Sequence, residues 1–217
     1  MSKLLVIVGH ADSNSFSSAL ALAYERGASL AGAETERLDL AQLQFDLVLR
    51  GGFRGTQPLE PDLISAQAAI RAADHVAWFF PTWWAAPPAL VKGFVDRVFL
   101  PGYAFRYERG RALHHKLLGG RSARLFTSMD APWWWYALFY RRALHASFIN
   151  ATLRFVGFAP VHHSTLYGLK NASAARREEL LRKAEMTGAK DAARIRPRLV
   201  SGEASGATRD SLPRQRV

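Results

Sequence analysis

Hydroxyl and amide side chains follow the first apolar run of the chain, and they could bind an anion. Residues 4–8 form a continuous apolar run, a polar loop begins at Gly9, and residues 17–30 predict a helix. The first backbone N–H groups of a helix attract negative charge, and hydroxyls before the helix add donors. The candidate binding residues are His10, Asn14, Ser15, Phe16 and Ser17. The alternative is that the serines only cap the helix, and the surrounding β/α pattern favours the ligand site.

A second loop carries aromatic side chains that could hold a flat ligand. Residues 75–80 predict a buried strand that ends at Pro81, and Thr82, Trp83 and Trp84 follow it. Apolar residues then recur at spacings of three and four over residues 90–99, which predicts a helix with Pro88 in its first turn. Indole rings suit a flat aromatic ligand. The alternative is that both tryptophans cover a hydrophobic core.

A third polar loop, at residues 127–130, follows another predicted strand. The chain alternates predicted strands and helices, which indicates an α/β fold with a parallel sheet. The strands are predicted at residues 4–8, 34–40, 75–80, 122–127 and 161–167, and the remaining helices at 62–73, 138–156 and 172–194. The three loops therefore meet at the carboxyl ends of the strands, where open α/β sheets bind ligands.

Several classes of function are disfavoured by composition and motifs. G-x-G-x-x-G and G-x-x-x-x-G-K-[ST] are both absent, which argues against a dinucleotide fingerprint and a P-loop. The chain has no cysteine, which excludes disulfides and thiolate chemistry but does not fix the compartment. Its apolar runs fall short of a membrane span and its first residues do not resemble a secretory segment, so we expect a cytoplasmic protein without an integral membrane segment. With 217 residues, 49% of them hydrophobic, we expect one domain at 1–194 and a disordered basic tail at 195–217.

The net charge of +11 is unevenly distributed along the chain. Residues 106–124 hold six Lys or Arg against Glu108 alone. Such a surface could face nucleic acid, an anionic membrane or a phosphorylated cofactor, or it could be only a solvated face. No nucleic-acid-binding motif accompanies it, so we expect no nucleic-acid partner.

His162 and His163 are adjacent on a predicted strand and point to opposite faces, so we expect no metal site there.

Three segments of the sequence resemble the NAD(P)H-dependent quinone oxidoreductases and related flavodoxin-like proteins. They are VGHADSNSFSSAL, FFPTWWAAPPALVKGFVDRVFLPGYAFRY and LFTSMDAP. The resemblance covers about residues 3–193 and is specific in the spacing of His10, Pro81 and Lys92-Gly93. It implies a flavodoxin-like three-layer sandwich with a five-stranded parallel sheet of order 2-1-3-4-5. Flavin would bind at the topological switch point between the first and third strands.

The resemblance also assigns residues to the implied flavin site. The flavin phosphate positions correspond to His10, Asn14, Ser15, Phe16 and Ser17. The positions that line the isoalloxazine correspond to Pro81, Thr82, Trp83, Trp84 and Ala85. The third flavin loop corresponds to Thr127, Ser128, Met129 and Asp130, and here Met129 and Asp130 replace the glycines of relatives. Quinone reductases of this type also use a Tyr and a His; the segment WWWYALFY gives no unique alignment, and Tyr136 is the candidate.

The implied function is a flavin-dependent NAD(P)H oxidoreductase that reduces quinones or similar flat electrophiles by hydride transfer. We expect FMN rather than FAD, because no clear adenine-binding element is present, and a homodimer that buries residues 133–140. A flavodoxin-like electron carrier is one alternative, although such carriers are strongly acidic. The other is a non-catalytic flavin- or nucleotide-binding redox regulator of a membrane transport protein.

Overall fold

The computed structural model describes residues 1–55, 57–108, 110 and 113–195 of the chain. Its seven strands are β1 Lys3–Val8, β2 Glu34–Asp39, β3 His75–Pro81, β4 Phe105–Arg106, β5 His115–Lys116, β6 Ser122–Met129 and β7 Val161–Tyr167. Five of them form a parallel sheet in the order β2-β1-β3-β6-β7, and β4 and β5 form a separate antiparallel pair. The predicted order 2-1-3-4-5 is confirmed once that small pair is set aside.

Helices cover both faces of the sheet. They are α1 Phe16–Leu30, α2 Pro61–Ala72, α3 Ala89–Val98, α4 Trp133–Leu138, α5 Arg154–Val156 and α6 Ala174–Arg194, with a π-helical segment, His145–Leu153, leading into α5. On β1, Leu5 and Ile7 pack into one buried cluster, whereas Leu4, Val6 and Val8 pack into the other. Side chains alternate between the faces of a strand, so a continuously apolar strand fills both layers. No helix in the described ranges is long and apolar enough to span a bilayer.

The layer formed by α1 and α6 is held by a close contact between two glycines and the opposing backbone. A Cβ atom added at Gly27 would lie 1.9 Å from the carbonyl oxygen of Glu185. One added at Gly188 would lie 2.0 Å from the carbonyl oxygen of Tyr24. Only glycine allows the two helices to approach this closely.

A buried polar network ties α6 to the amino end of the sheet. The hydroxyl of Tyr24 donates to Asp191, 2.8 Å away, and Nη2 of Arg124 donates to the same carboxylate at 2.8 Å. Because that hydroxyl has only one proton, it accepts from Nε2 of His75 at 3.1 Å, and Nδ1 of His75 then accepts from Ser122. Burial lowers the pKa of His75 to about 4, which keeps the ring neutral at pH 7.

Arg97 fixes the long loop at residues 42–61, whose function could not be interpreted from the sequence. The fully buried guanidinium donates to the carbonyl oxygens of Asp46 at 2.8 Å and Pro58 at 3.0 Å. It also forms an ion pair with Glu60 at 2.7 Å. The loop is therefore part of the packed fold and covers α3.

Two local predictions are wrong. The helix predicted at residues 138–156 is interrupted: α4 ends at Leu138, and Arg141 and Arg142 have φ angles of 46° and 54°. Left-handed residues cannot continue a right-handed helix, so the chain turns before the π-helical segment. Pro88 is the N-cap of α3 rather than a residue of its first turn. Apart from Ile195, the predicted tail at 195–217 lies outside the described residues.

Candidate functional site

The loop between β1 and α1 is organised by Asp12 and Ser15. The carboxylate of Asp12 accepts from the backbone N–H of Asn14 at 2.9 Å, and its carbonyl accepts from that of Ser15 at 3.2 Å. The hydroxyl of Ser15 caps α1 by accepting from the N–H of Ser18. The N–H groups of Phe16 and Ser17 lie in the first turn, where no carbonyl of the helix can reach them, so they suit an anion.

A tight two-residue turn shapes the aromatic loop after β3. Trp83 and Ala86 exchange two backbone hydrogen bonds, of 3.0 and 2.9 Å, while Trp84 and Ala85 have φ angles of 51° and 56°. This turn leaves Trp84 fully exposed, so Trp84 does not cover the core. The indole of Trp83 meets the ring of His10 edge to face, with centroids 5.8 Å apart.

The aromatic loop is bonded directly to the third loop. The hydroxyls of Thr82 and Thr127 are 2.6 Å apart, and the N–H of Thr82 donates to the carbonyl of Ser128 at 2.7 Å. Strand β6 runs through Met129, two residues beyond the predicted end, so Thr127, Ser128 and Met129 belong to the strand rather than to the loop after it. Asp130 follows, and its carboxylate accepts from the N–H of Lys170 at 2.8 Å.

A cavity of about 210 Å³ lies between the three loops, and we call it the loop cavity. Most residues predicted to bind the ligand line it: His10, Ser15, Phe16, Ser17, Pro81, Thr82, Trp83, Ser128, Met129 and Asp130. Asn14 and Thr127 do not line it, and Trp84 and Ala85 line the adjoining cavity described next. Leu169 also lines it and was not found from the sequence, although it follows β7 at the same sheet edge.

A second cavity, of about 290 Å³, adjoins the first and is called the aromatic cavity. Both cavities are lined by Thr82, Trp83, Met129 and Asp130. The aromatic cavity is also lined by Trp84, Ala85, Ala131, Tyr136 and Tyr140. The two cavities therefore meet at Thr82, Trp83, Met129 and Asp130.

Tyr136 and His145 form a buried hydrogen-bonded pair beside the aromatic cavity. The hydroxyl of Tyr136 lies 2.7 Å from Nδ1 of His145, and Nε2 of His145 lies 2.9 Å from Oγ1 of Thr165. Burial raises the pKa of Tyr136, whereas burial, with the charges of His163 and Arg142, lowers the pKa of His145 to about 4. Both groups are neutral at pH 7, so the phenol can donate a proton. His145 was missed because the predicted continuous helix would not bring it back to Tyr136.

Comparisons with known proteins agree with this geometry. A family model described as the flavodoxin-like fold matches residues 2–187. NAD(P)H dehydrogenase (quinone) 1 of Rattus norvegicus is 28% identical over 125 residues, which cover 48% of this chain and 46% of the relative. The chain thus spans about half the length of that relative.

Two solved structures are similar to most of the chain. NAD(P)H:quinone oxidoreductase from Methanothermobacter marburgensis has a TM-score of 0.74 and 26% identity, and the match covers 87% of this chain and 98% of that one. An FMN-dependent NADH-azoreductase from Bacillus anthracis, solved in complex with FMN, has a TM-score of 0.68 over 90% of this chain and 99% of its own. Its 14% identity shows a common fold alone. With the sheet order, the loop positions and the family match in agreement, the chain belongs to the flavodoxin-like fold family.

Proposed function

We propose that the protein is a flavin-dependent NAD(P)H oxidoreductase that reduces quinones or similar flat electrophiles by two-electron transfer. The observation that carries the proposal is the shared wall of the loop and aromatic cavities, formed by Thr82, Trp83, Met129 and Asp130. A cofactor in the first cavity would contact a substrate in the second. The names of the rat and M. marburgensis relatives support the same reaction class.

The residues present fit a flavin mononucleotide. Ser15, Ser17 and the free N–H groups at the start of α1 would hold the phosphate. Pro81, Thr82 and Trp83 would line the isoalloxazine, and we propose FMN over FAD. The FMN complex of the B. anthracis azoreductase supports this choice, because its fold is the same.

When bound, the flavin would accept a hydride from NAD(P)H and pass two electrons to the acceptor. The chain itself would position the flat reactants against Trp83 and Met129, and its loop N–H groups would stabilise negative charge. Tyr136 would hold a proton at its hydroxyl for the acceptor, while His145 fixes the orientation of that hydroxyl. Donor and acceptor would occupy the same 290 Å³ cavity in turn, so we expect ping-pong kinetics.

A homodimer is part of the same proposal. Large apolar side chains on and after α4 are exposed: Trp133, Trp134, Trp135, Leu138, Phe139 and Tyr140. Tyr136 differs from them because it is buried within its own chain. An exposed patch of this kind is typical of an interface, and a second copy covering it would complete the wall of the aromatic cavity.

We place the flavin-binding domain at residues 1–194 and the protein in the cytoplasm, where NAD(P)H is supplied.

The decisive experiment is to purify the protein, release any chromophore and identify it by mass. The proposal expects FMN and steady-state oxidation of NAD(P)H with a quinone acceptor. Protein that stays colourless and takes up neither FMN nor FAD would overturn it. Protein that holds flavin but shows no turnover with either donor would instead favour a redox regulator.

A further inference from the structure

A third cavity, of about 430 Å³, lies between the edge strand β7 and the π-helical segment that leads into α5. We call it the basic cavity, because its lining includes Arg141, Arg142, Arg154, His145 and His163. No Asp or Glu lines it within the described part of the chain. Its charge is therefore positive, and an anion would be attracted to it.

Among the residues that the structure describes, none forms an ion pair with any of the three guanidinium groups. Arg141 and Arg142 form no ion pair with any described residue, and Arg154 donates to the neutral amide of Asn150 at 2.7 Å. The positive charge of Arg142 acts on the neighbouring ring of His163. Burial is the largest cause of the lowered pKa of His163, and the charge of Arg142 is the second largest. A guanidinium without a partner is suited to bidentate binding of a phosphate.

The turn that carries Arg141 and Arg142 is conformationally costly. Both residues occupy the left-handed region, with φ angles of 46° and 54°, which is unfavourable for residues other than glycine. Such strain commonly accompanies a functional position, and here both strained arginines line one cavity.

The basic cavity lies one side chain away from the aromatic cavity. His145 lines the basic cavity, and its Nδ1 bonds the hydroxyl of Tyr136, which lines the aromatic cavity. The rings of Tyr136 and Tyr167, which line the two cavities respectively, have centroids 6.4 Å apart. A dinucleotide whose ring lay in the aromatic cavity would extend past these rings to bring its phosphate groups to the arginines.

We propose that the basic cavity binds the phosphate groups of the dinucleotide donor and selects the 2′-phosphorylated form, NADPH, over NADH. The inference rests on the proposed function, because it places the nicotinamide of that donor in the aromatic cavity. NADH offers only its diphosphate bridge, whereas the 2′-phosphate of NADPH adds about −1.5 to −2 charge. Three arginines that form no ion pair with a described residue match the more highly charged donor.

The first test measures binding without turnover. Adenosine 2′,5′-bisphosphate and adenosine 5′-diphosphate are titrated into the purified full-length protein by calorimetry. The 2′-phosphorylated nucleotide is expected to bind at least about tenfold more tightly, and Arg154→Gln or Arg142→Gln to remove about tenfold of its affinity. Arg176→Gln is the matched control, because Arg176 lies on α6 and pairs with Glu179. The inference would be overturned if the two nucleotides bound with equal affinity. It would also be overturned if Arg176→Gln lost as much affinity for the 2′-phosphorylated nucleotide as Arg154→Gln and Arg142→Gln do.

The second test measures donor preference. The ratio of kcat/KM for NADPH to that for NADH should fall about tenfold in Arg154→Gln and Arg142→Gln. If both donors are oxidised and the ratio does not change, the phosphate assignment fails while the proposed function stands. If neither donor is oxidised but the 2′-phosphorylated nucleotide still binds selectively, the phosphate site stands and the proposed function fails.

Discussion

The hydroxyl of Tyr136 and Nδ1 of His145 lie 2.7 Å apart, although the two residues belong to separate helical segments. The left-handed turn at Arg141 and Arg142 lies between them and separates α4 from the π-helical segment. The backbone N–H of His145 also points at the same phenol oxygen, at 3.3 Å. The hydroxyl is therefore held in one position beside the aromatic cavity.

Replacing Tyr136 with Phe should slow transfer to the acceptor by about a hundredfold, because a positioned proton donor contributes a factor of this order. Flavin content should stay the same, since the hydroxyl is not among the groups proposed to hold the cofactor. Stopped-flow oxidation of the reduced enzyme by a quinone measures the step. Tyr107→Phe, which removes an exposed hydroxyl elsewhere, is the control. An unchanged rate in Tyr136→Phe would remove the phenol from the mechanism.

Trp83→Ala should damage turnover more than Ser18→Ala does. Trp83 lines both cavities, so its loss should weaken flavin binding and misplace the reactive ring, and about 1 Å of misplacement costs about a hundredfold in rate. The hydroxyl of Ser18 lies 3.1 Å from that of Ser15 and supports only the helix cap. Flavin content, circular dichroism and quinone turnover should be measured for both variants. The reverse ranking would show that the binding loop begins inside α1.

Acidification should destabilise the protein through His75. Its pKa is about 4 when folded and about 6.5 when unfolded, so between these pH values the unfolded chain binds a proton that the folded chain does not. The stability contribution is complete above pH 6.5 and falls by about 3 kcal/mol as the pH drops through 4. Denaturant unfolding across this range measures it. In His75→Gln the free energy of unfolding should depend less steeply on pH over this range. A pH dependence equal to that of the wild type would show that other groups carry the effect.

Gly188→Ala should destabilise the fold by about 3 kcal/mol or more, because the added Cβ would meet the carbonyl oxygen of Tyr24 at 2.0 Å. Gly119→Ala is the matched control. Its Cβ would find no atom closer than 4.0 Å, so the free energy of unfolding should change by no more than about 0.5 kcal/mol. Urea unfolding of both variants gives the comparison. If the two variants unfolded at similar urea concentrations, α1 and α6 could move apart without a loss of folding free energy.

Leu138→Arg should convert the proposed homodimer into a monomer and reduce its turnover. Leu138 is 70% exposed on α4, and a buried unpaired charge at an interface costs several kcal/mol. Ile64→Arg provides the control, since Ile64 is 56% exposed on the separate helix α2. Light scattering at assay concentration distinguishes the states. A wild-type protein that is a fully active monomer would contradict the proposed interface.

The sheet and its three loops could be predicted because each signal is local. The apolar run at residues 4–8 fills two layers, and the residues after each strand necessarily arrive at one edge. The break before the π-helical segment could not be predicted, since Arg is a good helix former and nothing in Arg141 or Arg142 favours a left-handed conformation. His145 was missed for the same reason. Its contact with Tyr136 forms only because the chain turns between the two residues.

The close contacts that Gly27 and Gly188 make with the backbone of the opposing helix also determine when the fold can be completed during synthesis. Helix α1 leaves the ribosome early, but the backbone against which Gly27 packs is at Glu185. Until residues 174–194 have been synthesised, the apolar face of α1 and one side of the sheet stay uncovered, as does the half of the polar network that needs Asp191. Helix α6 therefore completes the packing of α1, and these apolar surfaces are open to aggregation until α6 has been synthesised.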